Sequence, residues 1–239
     1  MLAVAVAAGV FWLFWQRNDR HFGASPSWRA DSGSMGSGPS LQSVSAGRPT
    51  PRFDGARRQL AELKVQGWDP TSDYRRGWFG IAWNDDVEVP LGRNGCNTRD
   101  DILRRDLSNV VLRPGTCFVQ RGTLVDPYTG MSIGFVRGPQ TSGGVEIDHV
   151  VSLADAWYRG ARGWAPQRRL DFANDPRNLL AVSPQANLDK GFSDASRWLP
   201  PNIAFRCDYV ARQIEVKTLY GLSVSVPEKQ ALLAVLGRC

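Results

Sequence analysis

The segment Glu146–Val151 constrains the fold of this chain more than any other stretch. In it an acidic residue, Asp148, and a histidine, His149, precede two valines, which is typical of a short strand that ends at a cleft. Successive side chains of a strand point to opposite faces, so we expect Asp148 and His149 to serve one site from two angles. The chain's other histidine, His21, lies in a segment that we do not expect to fold, so any imidazole chemistry falls to His149. A buried histidine held by backbone groups is the alternative.

A second strand and a helix follow the first strand after an excursion of the chain. Asn178–Val182 has the pattern of a strand, and Ser183 followed by proline is typical of a helix start. We expect this helix over Pro184–Lys190, ended by Gly191, with Asn187 one turn inside it. The unit brings a carboxylate, an imidazole and an amide to one point, a set that suits a divalent cation with few protein ligands.

The remaining patterns predict a mainly helical domain around this strand–strand–helix unit. Helices are expected over Gly55–Val65, Asn97–Leu107, Leu153–Gly160, Gln167–Phe172, Asp208–Leu219 and Ser225–Leu236. The last two, folded back antiparallel, form a C-terminal helical hairpin. A β-hairpin is expected from Cys117–Gln120 and Gly122–Val125, and a further strand from Met131–Val136. The fold class is therefore α+β.

An aromatic, turn-rich stretch covers residues 68–83 and contains Trp68, Tyr74, Trp78, Phe79 and Trp83. Clusters of this kind more often form core and packing surface than a platform on which bases stack. We therefore expect these rings to pack inside the domain.

Three segments are expected along the chain. Leu2–Trp15 is an uninterrupted apolar run, which predicts a signal or membrane-anchor segment over residues 1–16. Arg17 and Arg20 follow this run and no basic residue precedes it, a bias that opposes export and that a start codon placed too late would explain. Residues 17–52 are rich in Ser, Gly and Pro and predict a flexible linker. The folded domain is expected over residues 53–239.

Four cysteines, Cys96, Cys117, Cys207 and Cys239, allow three disulfide pairings. The C-terminal hairpin brings together the helix ends that carry Cys207 and Cys239, which favours the sequential pairing. No Cys-x-x-Cys pair occurs and histidines are scarce, so a zinc site is not expected. Two disulfides predict a secreted or extracytoplasmic protein, anchored or free.

The charge balance permits nucleic acid as a partner without requiring it. The net charge is +6, and arginine supplies most of the positive charge. Such a balance fits a polyanionic partner but is at least as common in soluble basic proteins. At 239 residues, 42% of them hydrophobic, the chain can bury one good core.

At the level of motifs, the chain resembles the HNH (His-Me finger, ββα-metal) endonucleases. Within them it is similar to the nuclease domain at the C-terminus of GmrSD-type restriction enzymes. The resemblance is carried by Glu146–Trp157, Phe172–Val182 and Asn187–Gly191, with weaker support from Asp126–Gly130 and Trp198–Pro201. It extends roughly from residue 67 to the C-terminus and implies a ββα-metal core inside the helical domain.

The resemblance implies a role for each matching residue. Asp148 would be a metal ligand, His149 the general base, Asn178 the residue that keeps His149 aimed, and Asn187 the second metal ligand. Lys190 would meet the phosphate, although a lysine near a helix end is usually a solvated cap. The expected cofactor is Mg²⁺, with Mn²⁺ or another divalent cation as alternatives. The third letter of the motif is asparagine here rather than histidine, a common form.

Two further roles are left open by the sequence. Glu146 shares a strand face with Asp148 and is expected either to orient a ligand or to lie on the surface. Phosphate contacts are expected from arginines near the site, with a solvated helix face as the alternative. These arginines are Arg159, Arg162, Arg168, Arg169 and Arg177. No base-reading module is present, so weak sequence specificity is expected, with DNA favoured over RNA.

Two other functions compete with a nuclease. A non-catalytic extracellular DNA-binding protein would keep the basic surface without needing Asp148, His149 and Asn187 together. A secreted cell-wall hydrolase would use His149 in a triad, but the sequence offers no nucleophile elbow for it, since its Gly-x-Ser-x-Gly pattern, Gly130–Gly134, runs into the predicted strand Met131–Val136 and not into a helix. A divalent-metal-dependent nicking assay separates the first of these from a nuclease.

Overall fold

Residues 51–69 and 73–239 are described by a computed structural model of the chain. The predicted signal or anchor segment, 1–16, and the predicted linker up to residue 50 lie outside the described residues. The expected start of the folded domain falls at the end of a 3-10 turn, Pro51–Phe53, that leads into the first helix. Among the described helices, none has the length and apolar character needed to cross a membrane.

Seven α-helices form in the described part of the chain, each at or near its predicted position. They are α1 (Asp54–Glu62), α2 (Thr98–Asp106), α3 (Leu153–Tyr158), α4 (Pro166–Asn174), α5 (Pro184–Lys190), α6 (Arg206–Tyr220) and α7 (Val226–Leu236). Local capping explains the agreement. Ser183 Oγ accepts from Ala186 N at the start of α5, and Gly191 ends that helix with a φ of 52°. At α7, Ser225 and Glu228 form the capping box.

Two antiparallel sheets complete the α+β fold. The first has the order β1 (Leu107–Leu112), β2 (Val119–Val125) and β3 (Ser132–Val136). The second contains β4 (Glu146–His149) and β5 (Leu179–Val182), and β5 directly precedes α5. The predicted α+β class and the C-terminal helical hairpin are confirmed.

The predicted β-hairpin centred on residue 121 is wrong. Residues 119–125 form one continuous strand, β2, whose partners are β1 and β3. Gly122, which was expected to begin the second strand of that hairpin, lies in the middle of the ladder. A Cβ at this position would come within 2.8 Å of Leu107 Cδ2 and 3.2 Å of the Ser108 carbonyl oxygen. Glycine is therefore required by the close approach of β1, not by a change of direction.

Strand β5 lies between two hydrophobic cores and fixes the orientation of β4. Leu180 and Val182 pack into a core with α1, α6 and α7. Leu179 and Ala181 pack into a second core with α2 and the three-stranded sheet. Because β4 and β5 are paired in register, side chains of β4 also alternate between these two sides.

Both disulfides have the sequential pairing. Cys96 bonds to Cys117, with Cα atoms 5.6 Å apart, and links the loop before α2 to the start of β2. Cys207 bonds to Cys239, with Cα atoms 5.9 Å apart, and joins the start of α6 to the residues after α7. The second bond lies where the antiparallel packing of the two helices predicted it.

Candidate active site

Three of the predicted site residues, Asp148, His149 and Asn187, line one cavity of about 560 Å³. Glu146, Asp148 and His149 reach it from β4, and Asn187 reaches it from α5. Arg76 lines the same cavity from the 3-10 turn Arg76–Phe79. We refer to this space as the catalytic cavity.

His149 is buried at the end of β4 and has one ring nitrogen fixed by the backbone. Its Nε2 lies 2.9 Å from the carbonyl oxygen of Ala173. A carbonyl can only accept, so Nε2 carries the hydrogen and Nδ1 keeps its lone pair. Burial, together with the positive charges of Arg76 and Lys190, lowers the pKa of His149 to about 3, although the bond to Ala173 opposes the shift. The imidazole is therefore a neutral acceptor at physiological pH.

Asp148 leaves β4 on the opposite side from His149 and is held by two donors. Lys190 Nζ lies 2.9 Å from Oδ1, and the Tyr128 hydroxyl donates to Oδ2 at 2.6 Å. Burial raises the pKa of the Asp148 carboxyl, whereas Lys190 and Tyr128 act against that shift. Lys190 also donates to the His149 carbonyl oxygen at 2.8 Å, so one ammonium group ties both ends of the motif to α5.

Glu146 and Asn187 form a second polar pair in the catalytic cavity. Asn187 Nδ2 donates to Glu146 Oε2 at 2.7 Å, and both residues are half-buried. Glu146 thus orients the Asn187 amide instead of lying free on the surface. The amide oxygen of Asn187 and the carboxylates of Glu146 and Asp148 are hard oxygen donors of the kind that Mg²⁺ prefers.

Asn178 lies fully buried at the base of the motif and holds the segment that follows His149. Its Oδ1 accepts from Val151 N at 2.8 Å, and its Nδ2 donates to the Val151 carbonyl oxygen at 3.1 Å. Its own carbonyl accepts from Val150 N at 2.8 Å. These bonds fix the chain directly after His149, which is the geometry that the predicted aiming role requires.

Comparisons with known proteins identify a family for this chain. Residues 97–235 match the family described as GmrSD restriction endonucleases, C-terminal domain. The chain belongs to this family. An Arthroderma benhamiae protein named "Uncharacterized secreted protein" is 40% identical over 195 residues, which cover 79% of this chain and 87% of the relative. No solved structure shows significant similarity to the chain.

Membership of the GmrSD C-terminal domain family confirms the predicted resemblance and marks the chain as a nuclease-related protein. The matched range contains β4, β5 and α5 together with Tyr128. It leaves out residues 51–96, which supply Arg76 and Tyr74 to the catalytic cavity. These two residues lie in the aromatic stretch, where no local signal separated them from their packed neighbours.

Lys190 is not placed where the sequence predicted. Its side chain is fully buried and its ammonium is shared between Asp148 and the His149 carbonyl. A cation in this position cannot also contact a phosphate from solvent. Lys190 instead contacts Asp148, and an unpredicted cation, Arg76, lines the catalytic cavity.

The arginines predicted to contact phosphate do not line the catalytic cavity. Arg159 is buried and pairs with Asp155 and Asp194. Arg169 is also buried and donates to the carbonyl oxygens of Trp78 and Trp164. The phosphate-contact prediction is therefore wrong for these two residues, because their positive charge is used inside the protein.

The other predicted arginines also have protein partners. Arg177 binds the buried carboxylate of Asp175, with Nη2 2.6 Å from Oδ2. Arg168 donates to the Tyr220 carbonyl oxygen at 2.9 Å. Arg162 remains exposed, with Nη2 3.0 Å from Asp73 Oδ2. Of the predicted set, Arg162 and Arg168 are exposed.

The oxygen donors of the catalytic cavity fit a cation that keeps most of its waters. Within the described residues, no group of three or more His, Cys, Asp or Glu side chains forms a complete metal cage. Mg²⁺ does not need one, since it is commonly held by one or two carboxylates and by substrate phosphate oxygens. Each oxygen of Asp148 accepts one hydrogen bond and retains capacity for a second contact.

Proposed function

We propose that this protein is a secreted, metal-dependent HNH endonuclease that hydrolyses phosphodiester bonds in nucleic acid, with DNA as the first candidate substrate. The observation that carries the proposal is the neutral His149 imidazole, whose Nδ1 is left as the acceptor at the catalytic cavity beside Asp148 and Asn187. Membership of a nuclease-related family supports the same reaction class.

His149 acts as the general base. Its Nδ1 accepts a proton from the attacking water, while Nε2–H stays on the Ala173 carbonyl and keeps the ring aimed. In the free protein a pKa of about 3 makes His149 a weak base. A bound phosphodiester brings negative charge next to the ring, which raises the pKa toward the value that proton transfer needs.

Asp148 and Asn187 would hold the divalent cation, with Glu146 orienting the Asn187 amide. When bound, Mg²⁺ neutralises charge on the phosphate and stabilises the leaving oxygen. Lys190 fixes the Asp148 carboxylate, and Asn178 fixes the chain after His149. Arg76 supplies positive charge at the mouth of the same cavity.

Export from the cytoplasm is the compartment that fits best. A relative with 40% identity carries the name of a secreted protein. Two disulfides without a free cysteine are typical of an oxidising environment. Fractionation of cells that express the chain tests this location.

The test is cleavage of supercoiled plasmid, linear duplex and RNA by the full chain, with Mg²⁺ or with chelator. We expect cleavage with Mg²⁺ and its loss with chelator. His149→Ala should abolish cleavage, while His21→Ala, which changes the other histidine, should not. Equal cleavage by His149→Ala and wild type would contradict the general-base role of His149. Full activity in chelator would contradict the metal dependence.

A further inference from the structure

Two further cavities extend from the catalytic cavity, and each shares an aromatic side chain with the cavity before it. Phe192 lines both the catalytic cavity and a neighbouring cavity of about 460 Å³. Trp68 lines this second cavity and a third one of about 830 Å³, to which Tyr158 also contributes. We call the continuous surface along Phe192, Trp68 and Tyr158 the aromatic groove.

Two rings of the aromatic groove, Phe192 and Trp68, face solvent, although the sequence predicted that Trp68 would pack inside the domain. Phe192 is 61% exposed and Trp68 is 47% exposed. Tyr158 stacks on Trp68 with ring centroids 4.2 Å apart, and the Arg159 guanidinium lies 5.5 Å from the Trp68 ring. These contacts fix the orientation of Trp68 and still leave about half of it open. Neither Phe192 nor Trp68 belongs to a hydrophobic core of the described residues.

Each of the three cavities is lined by an arginine of interest. Arg76 lines the catalytic cavity, Arg197 the second cavity and Arg162 the third. Among the described residues, no hydrogen bond or ion pair engages the guanidinium of Arg76 or of Arg197. Carboxylates in the second and third cavities are paired, Asp155 and Asp194 with Arg159 and Asp69 with Arg162. The groove therefore presents cationic groups beside open rings.

Exposed aromatic rings interleaved with arginines suit a strand of nucleic acid whose bases are unstacked. Every base offers a π-face, so stacking on protein rings binds single strands with little dependence on sequence. In a duplex those faces are covered by neighbouring base pairs, and the rings of Phe192 and Trp68 would find no partner. A surface built only for duplex backbone would need cations without exposed aromatic side chains.

We propose that the aromatic groove binds single-stranded nucleic acid on one side of the scissile phosphate. Bases stack on Phe192 and Trp68, and phosphates face Arg76 and Arg197. This inference rests on the proposed nuclease function and specifies its substrate as single-stranded. DNA and RNA share the required chemistry, and separate arms of the test distinguish them.

Binding is measured by fluorescence anisotropy with the full chain carrying His149→Ala, so that no cleavage interferes. The probes are a single-stranded DNA of about 12 nucleotides, the RNA of the same sequence and the corresponding duplex. We expect tighter binding of at least one single strand than of the duplex. Trp68→Ala and Phe192→Ala should each weaken single-strand binding by about ten-fold and leave duplex binding nearly unchanged.

A matched control is Trp78→Ala. Trp78 is 48% exposed, as open as Trp68, but lines none of the three cavities. This variant should bind like the parent, and Trp68→Phe, which retains a ring, should recover most of the affinity. Circular dichroism checks that each variant is folded.

The outcomes separate this inference from the proposed function. Tighter binding of duplex than of either single strand, or unchanged single-strand binding by folded Trp68→Ala and Phe192→Ala variants, would overturn the groove. Absence of cleavage by the wild-type chain, with ring-dependent single-strand binding intact, would overturn the nuclease and leave the groove standing.

Discussion

Lys190 and Asp148 form a buried ion pair whose disruption we expect to be costly. Lys190→Met leaves a buried carboxylate without its cation, so the free energy of unfolding should fall by roughly 3–5 kcal/mol. Adding Asp148→Asn to this variant removes the unpaired charge and should restore part of the loss. Urea unfolding of the two single variants and the double variant measures the coupling. A stable Lys190→Met variant that only binds substrate weakly would instead support the original phosphate-contact role.

Asn178 should be a positioning residue rather than a catalytic one. Asn178→Ala leaves two buried backbone groups of Val151 without partners, which costs roughly 2–4 kcal/mol. Because the chain after His149 is then less constrained, kcat should fall about 100-fold while KM changes little. Denaturant unfolding and steady-state kinetics measure the two effects.

The control for this effect is Asn97→Ala, which removes the cap of α2 and lies outside the cavity lining. It should lose about 1 kcal/mol of stability and keep its kcat. If both variants lost activity in proportion to stability, Asn178 would have no specific role in aiming His149.

Individual site residues could be predicted where their signal is local. Asp148 and His149 are adjacent, and the helix start at Ser183 locates Asn187. Tyr128 and Arg76 escaped prediction, since they reach the site from separate segments of the chain. The phosphate contacts predicted for the arginines depend on a related point. A sequence shows a positive charge but not the acceptor inside the protein that engages it.

At the scale of elements, the helices were predicted better than the sheet. Caps such as Ser225 with Glu228 act within a few residues, so their effect can be read locally. Strand β1 was missed because pairing with β2 is non-local and Asn109 in it has a φ of 52°. The β-hairpin centred on residue 121 was wrongly predicted for the same reason, because the close approach of Leu107 to Gly122 is visible only in the fold.

Gly122→Ala tests this explanation of β2. The added methyl would overlap Leu107 and crowd the Ser108 carbonyl, so we expect a loss of about 1–3 kcal/mol in stability. Gly134→Ala in the neighbouring strand β3 is the matched control, since a Cβ there meets nothing within 4 Å. Thermal unfolding of both variants decides the matter. Equal stability of the two would mean that β1 adjusts freely.

The hairpin of α6 and α7 carries a buried carboxylate that should make stability depend on pH. Lys217 Nζ lies 2.5 Å from Glu228 Oε1 and 2.8 Å from Asp155 Oδ2. Burial raises the pKa of Glu228 from 4.5 to about 7, with Lys217 opposing and Asp155 adding to the shift. A raised carboxyl pKa means that the folded state holds the proton more tightly. The contribution of Glu228 to the free energy of unfolding is therefore present below pH 4.5 and is lost as pH rises toward 7.

Glu228→Gln keeps the capping box pattern but cannot ionise. The stability of this variant relative to wild type should therefore increase as pH rises through this window. Denaturant midpoints measured across the window provide the comparison. Parallel curves for the two proteins would show that Glu228 does not titrate there.

Across the whole molecule, net charge describes the surface poorly. The chain has a net charge of +6, yet Arg159 and Arg169 are buried and Arg177 is engaged by Asp175. Cations that face the proposed substrate path are few and come from distant segments, Arg76 before α2 and Arg197 after α5. Composition therefore only permitted a polyanionic partner, while the fold is needed to propose where such a partner would bind.

Removal of the disulfide Cys207–Cys239 tests how far the stability of the domain depends on this bond. The bond closes a loop with a sequence separation of 32, so replacing both cysteines by serine should cost roughly 3 kcal/mol. Helices α6 and α7 bury Tyr209, Ile214 and Leu232 in the same core, and these contacts survive without the bond. The variant should remain folded near room temperature and keep its cleavage rate, because neither cysteine lines the catalytic cavity. Loss of the folded state at low temperature, seen by circular dichroism, would mean instead that the core needs the covalent bond and that the protein functions only where disulfides persist.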